Sequence, residues 1–141
     1  VALTAGSFES APQGSSLPQA TINWGATASP VDQAEVVVLS YGAAARSAQR
    51  ACRLAHDRGI RVSLLKLRTL WPFPEREVED AAERIRCLIV PELNRGQLAL
   101  EVERVVGVHK VVRINRADGQ MIDPQQILAA IERRGSPRGY R

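Results

Sequence analysis

Ile60-Arg-Val-Ser-Leu-Leu-Lys-Leu-Arg-Thr-Leu-Trp-Pro-Phe-Pro74 contains the transition on which the fold turns. Its first part, Ile60 to Leu67, is mostly apolar and reads as a strand. Its second part, Arg68 to Pro74, cannot continue that strand, because Pro72 and Pro74 fix two φ angles and push their predecessors away from helical geometry. The result is a stiff, extended loop. Pro74 suits the first turn of a helix. Glu75, Glu77, Glu79 and Asp80 crowd the start of that helix and Arg84 and Arg86 its end, as a helix dipole favours. Val78, Ala81, Ala82 and Ile85 supply its buried stripe.

The same strand, loop and helix recur on either side. Upstream, Glu35-Val-Val-Val-Leu-Ser40 has the consecutive β-branched residues of a strand covered on both faces. Tyr41-Gly42 makes the turn. A helix follows from about Ala43 to Arg58, with Ala44, Ala48, Ala51, Cys52 and Ala55 on one face and Arg46, Arg50, Arg53 and Asp57 opposite. Gly59 fits the left-handed position that ends it. Downstream, Cys87 to Val90 is a short apolar strand, and Pro91-Glu-Leu-Asn-Arg-Gly-Gln97 is the loop into a helix carrying Leu98, Val102 and Val105 and closed by Gly107. Val108 to Ile114 reads as a fourth strand. Asp123-Pro124 forms an N-cap and first helical residue, Ile127, Leu128 and Ile131 form the last stripe, and Gly135 ends it. Such alternation specifies a parallel sheet covered by helices, and ligands or partners meet such sheets at the carboxyl ends of the strands.

The first 20 residues carry one charge, Glu9, among Ser, Gly, Ala, Gln and Pro, and read as a flexible linker. The domain itself is expected over 21–135, and 136–141 form a basic tail. Thr21 to Trp24 is a candidate edge strand before the turn-like Gly25 to Pro30. The chain starts with Val1 and its single methionine is Met121, which suggests a piece of a longer polypeptide.

At 141 residues, with 45% hydrophobic and 24% charged residues, one domain with a proper core is expected. Aromatics are only 4%, so Val, Leu, Ile and Ala must build that core. No apolar run reaches the roughly 20 residues of a membrane span, and no signal-peptide pattern opens the chain. A cytoplasmic protein without a membrane partner is expected. The net charge of +4 comes from 19 basic residues against 15 acidic ones. The arginines are dispersed among Glu and Asp without aromatic interleaving, which speaks against a nucleic-acid partner.

The residues do not assemble a catalytic set. Ser40-Tyr-Gly-Ala43 has one glycine where a dinucleotide fingerprint needs three. Cys52 and Cys87 lack metal-ligand spacing and read as buried thiols. With His56 and His109 they are too few for a metal centre. What remains is a candidate interface or ligand edge: Tyr41, Gly42, Arg46, Arg68, Trp71, Phe73, Glu92, Asn94, Gly96 and Gln97. Two readings stand for its parts. Arg68, Trp71 and Phe73 either grip a partner, as Arg and Trp often do, or the aromatics fold back over the core. Glu92, Asn94, Gly96 and Gln97 either contact a ligand, or they shape a turn while Glu92 caps nearby amides.

Ala34-Glu-Val-Val-Val-Leu-Ser-Tyr-Gly42, Ala45-Arg-Ser47, Gly59-Ile-Arg-Val62, Leu67-Arg-Thr-Leu-Trp-Pro-Phe-Pro74, Pro91-Glu-Leu-Asn94 and Gly96-Gln97 occur in that order. Over about residues 30–134 the chain resembles the transketolase C-terminal-like domain of the alpha subunit of 2-oxoacid:ferredoxin oxidoreductases, most closely the 2-oxoglutarate type. The resemblance implies a three-layer α/β/α domain with a mostly parallel sheet of about five strands and one antiparallel edge strand. It also implies a thiamine-diphosphate enzyme that oxidatively decarboxylates a 2-oxoacid to an acyl-CoA and reduces ferredoxin. In that family thiamine diphosphate, Mg and the iron–sulfur cluster are held outside this domain, so this chain is expected to bind no cofactor and to be inactive alone. The implied partners are the other alpha-subunit domains and the beta subunit, with ferredoxin and CoA at the level of the complex. The competing reading is a free-standing flavodoxin-like module for a nucleotide or small ligand.

Overall fold

A computed structural model describes residues 20–23 and 34–135 of the chain. The expected linker, Trp24, the turn at Gly25 to Pro30 and the basic tail lie outside these residues, apart from Ala20. Five strands form one sheet in the order β1-β3-β2-β4-β5, with β1 Ala20–Asn23, β2 Val36–Tyr41, β3 Val62–Leu67, β4 Cys87–Glu92 and β5 Val111–Asn115. β2, β3, β4 and β5 are parallel, and β1 runs antiparallel along β3, with Ala20 opposite Leu67 and Asn23 opposite Leu64. The expected edge strand is therefore present, beginning one residue earlier than the sequence reading placed it.

Helices α1 Ala44–Asp57, α2 Glu75–Ala82, α3 Gln97–Val106 and α4 Pro124–Arg134 cover the two faces. One core layer joins Val37, Leu39, Leu65 and Leu88 of the sheet to Val78 and Ala81 of α2 and to Leu98 and Val102 of α3. The other joins Val36, Val38, Val62 and Ile89 to Ala48 and Ala51 of α1 and to Ile127 and Ile131 of α4. Alternate residues of β2 thus enter opposite layers, which explains why Val36 to Leu39 are apolar without a break and wholly buried.

The buried face of α1 is Ala44, Ala45, Ser47, Ala48, Ala51, Cys52 and Ala55. These small side chains let the helix lie close to the strands. The helix stops as its sequence requires. Gly59 takes φ +76°, its N–H donates to the His56 carbonyl at 2.9 Å, and Ile60 N–H donates to the Ala55 carbonyl at 3.0 Å. That is a Schellman closure, with Ile60 and Ala55 in the same core layer. At the start of α4, the Asp123 carboxylate accepts from Gln125 N–H at 2.9 Å, with Pro124 at the first helical position.

Three elements differ from the sequence reading. β4 continues through Pro91 and Glu92, which were expected in the loop. Proline is tolerated there because β4 pairs with β2 only as far as Ile89, while its pairing with β5 continues to Glu92 opposite Asn115. Val108 to Lys110, with His109, form a 3-10 turn rather than the start of a strand. Gly107, at φ +89°, turns the chain into it, and Lys110 Nζ donates to the Ala82 carbonyl at 2.6 Å. Finally, α2 ends at Ala82, so Arg84 and Arg86 lie beyond it and its last turn carries no basic residue.

Candidate functional site

Because β2, β3 and β4 are parallel, the segments that leave their carboxyl ends emerge on one edge of the sheet. Tyr41-Gly42, Arg68 to Pro74 and Leu93 to Gln97 therefore line a common rim. Tyr41 lies opposite Leu67 in the β2–β3 register. The β2 and β4 ends are joined by two side-chain bonds: Ser40 Oγ–H donates to the Pro91 carbonyl at 3.1 Å, and Asn94 Nδ2–H donates to the Tyr41 hydroxyl oxygen at 2.7 Å.

Glu92 is fully buried. Its carboxylate accepts from Leu98 N–H through Oε2 and from Ala99 N–H through Oε1, both at 2.9 Å. These are the otherwise unpaired amides of the first turn of α3, where a negative charge also meets the positive end of the helix dipole. Asn94 completes the turn. Its Oδ1 accepts from Gly96 N–H at 2.7 Å and Gln97 N–H at 3.3 Å. Since only the oxygen of an amide side chain can accept, these two bonds fix its orientation and leave Nδ2 facing Tyr41. Gln97 Oε1 accepts from Arg95 N–H at 3.1 Å.

Gly96 adopts φ +102°, and a Cβ there would lie 2.8 Å from Asn115 Nδ2. The turn therefore needs glycine for both conformation and space. Arg113, beside it on β5, donates from Nε to Glu103 Oε1 at 2.6 Å and from its terminal nitrogen to Oε2. Tyr41 is partly buried, and this desolvation, reinforced by the Glu92 charge and opposed by the Asn94 bond, raises its phenol pKa above the ordinary 10.0.

The proline loop divides its two aromatics. Trp71 is 84% exposed, and the Trp71–Pro72 peptide is cis. Phe73 is 7% exposed and belongs to the core cluster that includes Leu39, Leu67, Val78 and Leu98. Of the two readings for the loop aromatics, Phe73 follows the one in which the ring folds back over the core, and Trp71 does not. Arg68 and Leu70 are exposed in the same loop. Arg46 is exposed on α1 and Gly42, at φ +55°, opens on free space. The sequence signalled the rim residues by their place just after strands, but not the Tyr41–Asn94, Ser40–Pro91 and Gly96–Asn115 relationships, which join distant segments.

Cys52 and Cys87 are free and buried. Burial pushes the Cys52 thiol up to about 12 and raises that of Cys87, where Arg134 and Arg86 oppose the effect. Among the described residues, no three His, Cys, Asp or Glu side chains are grouped to hold a metal ion. Nor is any helix of the described residues long and apolar enough to cross a membrane.

A parallel four-strand core with an antiparallel edge strand, two helices on each face and an internally bonded rim defines a transketolase-type α/β/α domain. Residues 34–127 match the family described as pyruvate:ferredoxin oxidoreductase core domain II, and the chain belongs to that family. It is 42% identical over 101 residues to the 2-oxoglutarate synthase subunit KorA of Methanothermobacter marburgensis, a match covering 71% of this chain and 27% of that protein. The chain thus corresponds to about a quarter of the length of this curated relative. Among solved structures, it superposes on a 2-oxoglutarate:ferredoxin oxidoreductase from Magnetococcus marinus with TM-score 0.68 and 20% identity, covering 82% of this chain and 19% of that one. A split-gene transketolase, in its inactive β4 tetramer, gives TM-score 0.60 and 17% identity over 71% of this chain and 38% of its own. These two likenesses bear on the fold.

Proposed function

We propose that this chain is a non-catalytic domain of a thiamine-diphosphate-dependent 2-oxoacid:ferredoxin oxidoreductase alpha subunit, of the 2-oxoglutarate type. The whole enzyme would decarboxylate a 2-oxoacid oxidatively to an acyl-CoA and reduce ferredoxin. In this reading thiamine diphosphate, Mg and the iron–sulfur cluster belong to other domains or subunits. The rim formed by residues 41–46, 68–74 and 92–97 packs on those domains and on the beta subunit, and shapes the entrance for CoA or the 2-oxoacid.

One observation carries the reading. The acceptors of Glu92 and Asn94, which are the rim's best candidates for chemistry, are committed to the amides of Gly96, Gln97, Leu98 and Ala99. They build a rigid edge rather than a reactive centre. Beside that edge stands Trp71, a large side chain left in water, of the kind that anchors interfaces.

Calorimetric titration of the chain with thiamine diphosphate and Mg is expected to give no binding heat, and tight binding would overturn the assignment. A thermal-shift screen with nucleotides addresses the flavodoxin-like alternative, for which stabilisation is the expected signature. In the assembled enzyme, Asn94→Ala and Arg68→Ala separate two roles for the rim. A raised apparent KM for the 2-oxoacid or CoA with intact assembly assigns it to the entrance. Weakened assembly with unchanged KM assigns it to packing, and no change in either removes the rim from the function.

A further inference from the structure

We propose that the outward face of α1 docks on an acidic protein surface within the assembly to which the domain belongs, an inference that rests on the reading above. Arg46, Arg50 and Arg53 are all exposed on this helix. Spacings of four and three residues place them on one stripe about 10 Å long. Other arginines are paired within the domain: Arg58 with Glu132, Arg61 with Glu35, Arg104 with Glu75 and Glu101, Arg113 with Glu103, and Arg116 with Asp118. Arg76, Arg84, Arg95, Arg133 and Arg134 have no ion pair among the described residues, but they are not gathered three to one helix stripe. Among the described residues, none of the three α1 arginines has an ion-pair partner.

The arrangement is unfavourable for the helix taken alone. Arg46 sits in the first turn, where a cation opposes the dipole, and Asp57, on the same stripe, sits at the last residue, where an anion opposes it. Arg46 and Arg50 are like charges four residues apart, a destabilising spacing. The acid within the packed neighbour α4, Glu132, is paired with Arg58. Carboxylates on a partner would offset the penalties at Arg46 and Arg50, though not the one at Asp57. A protein fits better than a nucleic acid because the stripe is short, ends on the acidic Asp57 and carries no aromatic of its own, its flanks being the half-buried Gln49 and Leu54. The first member of the stripe, Arg46, belongs to the 41–46 segment at the end of β2. In the methanogen relative the matched segment accounts for only 27% of the length, so most of that polypeptide lies outside this domain.

The test uses the complete alpha–beta complex, comparing wild type, Arg46→Glu/Arg50→Glu/Arg53→Glu and the corresponding triple lysine variant, with assembly measured by sedimentation from 50 to 500 mM NaCl. Wild-type association is expected to weaken with salt. The glutamate variant should lose roughly ten-fold or more in association at low salt together with its salt sensitivity, while the lysine variant retains both. Circular dichroism should show all three folded, and a photo-cross-linker at Gln49 should capture a peptide rich in Asp and Glu. Wild-type association and salt slope in the glutamate variant would overturn the proposal, as would cross-linking to nucleic acid. If that happens while assembly and turnover persist, the domain reading stands alone. If the wild-type chain enters no complex, both fall.

Discussion

Asn94 Nδ2 lies 2.7 Å from the Tyr41 hydroxyl oxygen, a bond across 53 residues of chain that ties the end of β2 to the turn after β4. The same amide holds Gly96 N–H and Gln97 N–H through its oxygen. One side chain therefore fixes both the shape of the α3 turn and its position against the neighbouring strand.

Replacing Asn94 by Ala removes three bonds, and replacing Tyr41 by Phe removes one. Urea unfolding should show Asn94→Ala destabilised by about 1–3 kcal/mol and Tyr41→Phe by about 0.5–1 kcal/mol. Equal effects would show that the turn holds without Asn94.

The raised Tyr41 pKa has a definite sign. The folded state holds the phenolic proton more tightly than the unfolded chain, so its contribution is full below the unfolded value near 10 and is lost as pH rises through the higher folded value. A difference titration at 295 nm between wild type and Tyr41→Phe isolates this group from the second tyrosine, Tyr140. Its midpoint should lie above 10.0.

Glu92→Gln leaves one acceptor oxygen and turns an NH2 toward a helical N–H. With the site wholly buried, the expected loss is about 2–4 kcal/mol, read as a lowered Tm. Gly96→Ala should also destabilise, since it combines φ +102° with the 2.8 Å approach to Asn115. Adding Asn115→Ser should restore part of the loss, because it relieves the contact and not the backbone.

The two aromatics of the proline loop should behave oppositely. Trp71→Ala should change the stability of the chain by less than about 0.5 kcal/mol, whereas Phe73→Ala should cost about 3–5 kcal/mol. In the assembled enzyme the Trp71 substitution is the one expected to weaken association.

The thiols offer a probe of opening. At pH 8 both should be nearly unreactive toward a disulfide reagent, with Cys52 the slower because its pKa of about 12 leaves almost no thiolate. Added urea should accelerate both. Fast labelling of Cys52 in the folded protein would mean that α1 opens locally.

The local grammar was decisive for the elements that a few consecutive residues determine. Val36 to Leu39 had to be a covered strand, Gly59 had to stop α1, and Asp123-Pro124 had to start α4, because period, left-handed turns and caps act over a single turn of chain. The parallel order followed from their alternation, and the ordered motifs matched the family to which the chain belongs. Tertiary structure decided what depended on distant neighbours. Pro91 and Glu92 joined β4 because β5 supplies their pairing partners, and of the two loop aromatics Phe73 rather than Trp71 entered the buried cluster that includes Leu39 and Leu98. The amides that Glu92 and Asn94 satisfy, and the absence of an ion-pair partner for the α1 arginines among the described residues, likewise follow from packing. Sequence spacing sets which side chains share a face, whereas hydrogen bonds and ion pairs need atoms within about 3–4 Å, and only the folded backbone brings residues 41 and 94 that close.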